Sequence, residues 1–186
     1  MRARDSKGEM ATKGFGPYSV EVAHELSKHL GLKSDVGTAA SLSDDPVGFQ
    51  RRLLEGRPQI VLHKSEPSYG HWFLIHRLPS GAIEVFDSQA TDGETLDELL
   101  MGDQDNGYNG PAGWLGDAVS KAARSQNLRV EYNHKPSQSR VSESCLLHVL
   151  SRALVPGVSA SAFVKKADRF FDKYYARQEK GEHDSP

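Results

Sequence analysis

The chain has 186 residues, 26% of them charged, and a formal net charge of −2. That length suffices for one self-contained hydrophobic core, and the near-neutral balance supplies no global basic field for nucleic acid or an anionic membrane. A single cysteine excludes an internal disulfide framework and a zinc site built on several thiolates.

Residues 1–15 are charged and lack an apolar centre, which reads as a flexible tail and not as a secretory signal. A single domain is expected over 16–178, with a second polar tail at 179–186. No apolar run approaches the roughly 18 to 20 residues that span a bilayer. A free thiol belongs in the cytoplasm or another reducing compartment.

Pro17 opens a helix on which Val22, Leu26 and Leu30 recur at spacing four before Gly31 closes it. A polar loop over 32–44 leads to Asp45-Pro46, an N-cap followed by proline at the first helical position. That helix carries Phe49, Leu53 and Leu54 and ends at Gly56. Gln59 to Leu62 is a buried strand by composition.

The next segment reads as a hairpin. His71 to Leu78 and Ala82 to Ser88 flank Pro79-Ser80-Gly81, a three-residue turn with glycine where φ is positive. Closing that turn pairs Leu78 with Ala82 and sets Phe73 opposite Asp87. His71 then becomes the diagonal neighbour of Asp87 on one face, on the order of 7 Å away at the backbone. A two-residue turn would send Asp87 to the other face.

Thr95-Leu96 to Met101 reads as a short helix, and 102–111 as a turn-rich loop whose acidic spacing is not that of an EF-hand. Trp114 to Ser125 is a helix and Leu128 to Tyr132 a strand. After the polar loop 134–141, Ser142 caps a helix over Glu143–Leu154. Leu146, Leu147, Val149, Leu150, Ala153 and Leu154 cover most of its circumference, so this helix is central and buried. A last helix near 160–178 places Phe163, Ala167, Phe170 or Phe171, and Tyr174 on one face.

With Ser142 as cap, Cys145 falls in the first helical turn, where unpaired N–H groups and the helix dipole favour thiolate over thiol. A histidine beside it can take the thiol proton and deliver it to a leaving amine. A carboxylate on the far side of the ring fixes the tautomer. His71 and Asp87 are placed for those roles, and the side-chain amide of Gln138 can donate to an oxyanion. Each residue also has a plain structural explanation: a lone cysteine is most often a small buried hydrophobe, His71 a strand histidine, Asp87 a strand-end cap and Gln138 a solvated loop residue. Cys145-x-x-His148 invites a metal reading, but one thiolate with scattered His63, His71 and His76 is not a normal zinc ligand set. His148 reads as a packed residue of the helix.

Gly70-His71-Trp72, then Val85-Phe86-Asp87-Ser88, then Gln138 with six residues before Cys145, resembles the superfamily of the adenovirus proteinase and the SUMO-specific (ubiquitin-like-protein) proteases. The resemblance spans about residues 58–155. It implies an α+β fold with a central mixed sheet and a buried helix that bears the nucleophile. It implies His71 as base, Asp87 as the orienting acid, Gln138 as oxyanion donor and Cys145 as nucleophile, with Trp72 as a substrate-binding indole beside the site. No cofactor or metal is implied. The family usually has glycine directly after the nucleophile, whereas this chain has Leu146.

The implied activity is that of a cysteine peptidase or isopeptidase cleaving a protein after a small, glycine-type residue. Its two forms are a ubiquitin-like-protein protease and a viral-type maturation protease, and a secreted effector or viral protein would act in a host cell. The expected partner is a protein substrate, with no membrane and no nucleic acid. The His–acid–Cys order also resembles bacterial effectors that transfer acetyl groups from coenzyme A, which are normally longer. A non-catalytic interaction module, with Cys145 buried and neutral, is the third reading.

Overall fold

A computed structural model describes residues 19–66, 69–90, 108–137 and 144–167. The two tails, Pro17, the helix expected at Thr95 to Met101, residues 102–107 of the turn-rich loop, Gln138 and Ser142 lie outside the described residues.

Five strands form one mixed sheet in chain order: β1 (Asp35–Thr38), β2 (Gln59–Glu66), β3 (Tyr69–Arg77), β4 (Ile83–Asp87) and β5 (Val130–Tyr132). The outer pairs β1–β2 and β4–β5 are parallel, and the inner pairs are antiparallel. Parallel neighbours need a crossover. Helices α2 (Ala39–Ser43) and α3 (Pro46–Leu54) lie in the first, and α4 (Trp114–Ser125) lies in the second. Helix α1 (Val20–His29) precedes the sheet, while α5 (Cys145–Ala153) and the helical residues 160–167, α6, follow it.

Strand alternation sorts the core into two layers. Val61, Phe73, Ile75, Ile83 and Val85 face one way and pack on Phe49 and Leu53 of α3 and on Leu115, Ala118, Val119 and Ala122 of α4. Ile60, Leu62, Trp72, Leu74 and Phe86 face the other way, against Leu146, Val149 and Leu150 of α5 and Phe163 and Val164 of α6. The fold is thus α+β, with helices on both faces of a mixed sheet. Every residue of β4 is buried, as expected for a strand covered on both sides.

The hairpin closes as its turn chemistry requires. The Leu78 N–H donates to Ala82 O at 2.8 Å, Gly81 sits at φ 92°, and Phe73 pairs with Asp87. That register brings the start of β3 and the end of β4 to the same end of the sheet.

Buried charge fastens α5 to the sheet. Glu84 on β4 accepts from His76 Nε2 at 2.8 Å and from Arg152 Nη2 at 3.0 Å, with Arg152 Nε 2.8 Å from its other oxygen. Burial raises the Glu84 pKa, but the hydrogen bonds from His76 and Arg152 and their charges outweigh it and hold the carboxyl below its ordinary value. Arg152 also donates to Val155 O at 2.7 Å and lies over the Phe163 ring. This end of α5 is held by directional bonds as well as by apolar contact.

Three expectations change. Residues 35–43, expected as loop, form β1 and α2, with Thr38 capping α2 through its side chain. On α1 the fully buried residues are Ala23 and Ser27, whereas Val22 and Leu30 are exposed. The buried stripe is rotated about one residue from the apolar one, with Leu26 partly buried against the core beside it. Finally, α5 begins at Cys145 with Ser144 in the cap position, two residues later than the expected Ser142 cap.

Candidate active site

The site forms where β3 begins, β4 ends and α5 begins. His71 lies two residues before Phe73 and Asp87 lies opposite Phe73, so the pleat sets both on the same side of the sheet. The His71 Nε2–H donates to Asp87 Oδ1 at 2.5 Å. The Asp87 carboxylate is almost fully buried, and the same oxygen accepts from the Gln89 N–H at 2.8 Å.

Cys145 lies beside His71, close enough for the sulfur to help raise the imidazole pKa. With Nε2 committed to Asp87, Nδ1 is the ring atom left for the sulfur. Cys145 belongs to the apolar layer on the opposite face, so the two side chains approach each other at the end of the sheet. Burial pulls the His71 pKa down, but the hydrogen bonds to Asp87 and Cys145 and the charges of both raise it from 6.5 to about 9. His63 is the direct cross-strand partner of His71. Burial, and secondarily the His71 charge, hold His63 below its ordinary value. The two imidazoles are therefore driven to different protonation states.

As the first residue of α5, Cys145 sits beside helix N–H groups that have no intrahelical acceptor. It is buried, with 6% of its surface accessible. A comparison with models of known protein families finds no match, and a comparison with curated proteins finds none. The chemistry available here rests on the residues themselves.

The remaining expected site residues fall as follows. Trp72 is fully buried in the layer that contains Cys145 and Leu146 of α5. Odd-numbered β3 residues share a side with His71, so the even-numbered Trp72 points the other way, into the layer of Cys145. Leu146, in the position where the resembling family has glycine, is also fully buried, while its neighbour Leu147 is half-exposed. A leucine there serves the core. Gln138 lies outside the described residues, but its neighbour Ser137 is buried at the site.

His148 follows Cys145 by one helical turn. Its Nδ1 is hydrogen bonded to Ser137 Oγ at 3.0 Å, and burial lowers its pKa to about 4. Among the described residues no group of three or more His, Cys, Asp or Glu is arranged to hold a metal ion. No described helix is long and apolar enough to cross a membrane.

Sequence reasoning missed Asn133. Its Oδ1 accepts from the Asp87 N–H at 2.9 Å and its Nδ2 donates to Asp87 O at 2.6 Å and to Lys135 O at 3.1 Å. The β4–β5 ladder ends at the Val85–Tyr132 pair. Beyond it, the Asn133 amide takes over both main-chain groups of Asp87 and fixes the backbone that aims the carboxylate. An asparagine directly after a strand that ends early is a signal for such a clamp.

Proposed function

We propose that this chain is a cysteine peptidase or isopeptidase of the adenovirus-proteinase and SUMO-protease type, with Cys145 as nucleophile. The observation that carries the reading is one imidazole bonded to a buried carboxylate and set beside the chain's only thiol, at the start of a buried helix.

The reaction follows from these positions. His71 Nδ1 takes the Cys145 proton, and the thiolate attacks the substrate carbonyl carbon, forming a C–S bond and an oxyanion. N–H groups at the start of α5 face that charge, and Gln138 is assigned as the side-chain donor from its place seven residues before Cys145. The C–N bond breaks as His71 gives its proton to the leaving amine. Water then adds to the thioester carbonyl, losing a proton to His71. The C–S bond breaks, the acid leaves and Cys145 recovers its starting state. Asp87 accepts from Nε2 throughout, which presents Nδ1 to the sulfur and offsets the imidazolium charge.

A substrate residue with little or no side chain suits a nucleophile of such low exposure, and glycine at the C-terminus of a ubiquitin-like protein meets that requirement. The test is a panel of ubiquitin, SUMO and NEDD-type proteins carrying C-terminal electrophiles. At least one is expected to give a one-to-one adduct on Cys145 that is absent from Cys145→Ala. Acylation of Cys145 by acetyl-coenzyme A with no adduct from any of these proteins would assign the same thiol to acyl transfer instead.

A further inference from the structure

Resting on the thiol-peptidase reading, we propose that the buried Ser137–His148 pair is a positioning device that holds Cys145 at bonding distance from His71. Ser88, directly after Asp87, has its main-chain oxygen accept from the Ser137 N–H at 2.8 Å, with Ser137 Oγ 3.5 Å from the same oxygen. Ser137 Oγ in turn bonds His148 Nδ1 at 3.0 Å, and all three residues are buried. A hydrogen-bonded path thus runs from the strand end carrying Asp87 to the helix carrying Cys145, separate from the His71 contact.

Such a path supplies what apolar packing lacks. Contacts of Leu146, Val149 and Leu150 hold α5 on the sheet, but apolar attraction has no direction and allows a helix to slide or roll. Arg152 pins the far end of α5 to Glu84. His148, three residues after Cys145 and on the same side of the helix, pins the near end. Two directional ties fix the axial position of α5 and, with it, the sulfur. A displacement of 1 Å at a reacting atom can cost about 100-fold in rate. His148 acts through the helix, so it is a positioning residue. Its burial keeps the ring neutral at working pH.

Iodoacetamide tests this in the full chain, because the chain's single cysteine makes the alkylation rate a reading of one sulfur. At pH 6, His148→Leu and Ser137→Ala are each expected to react about tenfold more slowly than the parent. His148→Asn, whose amide nitrogen or oxygen can stand near the position of Nδ1, is expected to recover most of the rate. Thermal melts verify that each variant is folded, and Ser137→Ala serves if His148→Leu does not fold. Parent-like rates in the folded His148→Leu or Ser137→Ala variants overturn the inference. So does a His148→Asn variant as slow as His148→Leu, since ring packing and not the bond would then matter. A parent no more reactive than free cysteine removes the thiol-peptidase reading itself, and the inference with it.

Discussion

Asp87→Asn isolates the electrostatics of the site. In the parent, the carboxylate and the sulfur lift the His71 pKa from 6.5 to about 9 against the pull of burial. Asparagine keeps the shape of the side chain and can still accept from Nε2–H, but it carries no charge. With burial still acting and the main opposing charge gone, the His71 pKa is expected at or below 6.5. At about 1.4 kcal/mol per unit, the change is about 3 kcal/mol of lost preference for imidazolium. At pH 7.5 His71 then passes from almost wholly protonated to mostly neutral, and turnover is expected to fall on the order of 10³-fold. The assay is a titration of the His71 ring resonances by NMR from pH 5 to 10 in both proteins. A parent midpoint near 6.5, or an Asp87→Asn midpoint still near 9, would refute the reasoning.

The pH dependence of stability should show two histidines acting in opposite senses. His71 has a raised folded pKa, so its contribution is complete below pH 6.5 and is lost as pH rises through about 9. His148 has a lowered one, so the unfolded chain binds the extra proton and stability falls as pH drops from 6.5 toward 4, by about 3 kcal/mol. For these two groups, urea midpoints should peak near pH 6.5, and His148→Asn should flatten the acid limb; an unchanged acid limb contradicts the assignment. Glu84→Gln leaves Arg152 buried without its carboxylate and is expected to destabilise the fold by about 3–5 kcal/mol in urea unfolding; a loss under about 1 kcal/mol would mean that the cluster contributes little. Asn133→Ala strips both main-chain groups of Asp87 of their buried partners and should cost about 1–3 kcal/mol. It should also lower the His71 pKa, which NMR reads directly, and an unmoved titration would limit Asn133 to a purely structural part.

What was legible in the sequence is what local chemistry decides. The length of the Pro79–Gly81 turn sets strand parity, and parity alone brings His71 and Asp87 to one side. Asp45-Pro46 starts α3 as its capping chemistry requires, with the Gly48 N–H donating to Asp45 Oδ1 at 2.8 Å. The all-round apolar pattern of α5 marks it as buried, and Leu146, Val149 and Leu150 are. Illegible were the elements whose residues say little by themselves. In β1 Val36 is the one large apolar residue of four, and the strand exists because β2 offers an edge to pair with. The buried side of α1, through Ala23 and Ser27, does not follow its apolar periodicity.

The site divides in the same way. The placement of His71 beside Asp87 follows from a turn. The bonds Asn133–Asp87, Ser137–His148 and Arg152–Glu84 join residues whose spacing in sequence carries no rule, and only the packed topology selects them. The strand pleat that sets His71 beside Asp87 also turns Trp72 into the opposite layer, with Cys145.

The central claim is that His71 activates Cys145, and one rate constant tests it most directly. Iodoacetamide alkylation of Cys145 should be measured at pH 6 in the parent and in folded His71→Gln. An activating imidazole predicts a parent rate at least about 100-fold above that of His71→Gln. Equal rates in the two proteins would mean that the sulfur gains nothing from the ring beside it, and the enzyme reading would fall.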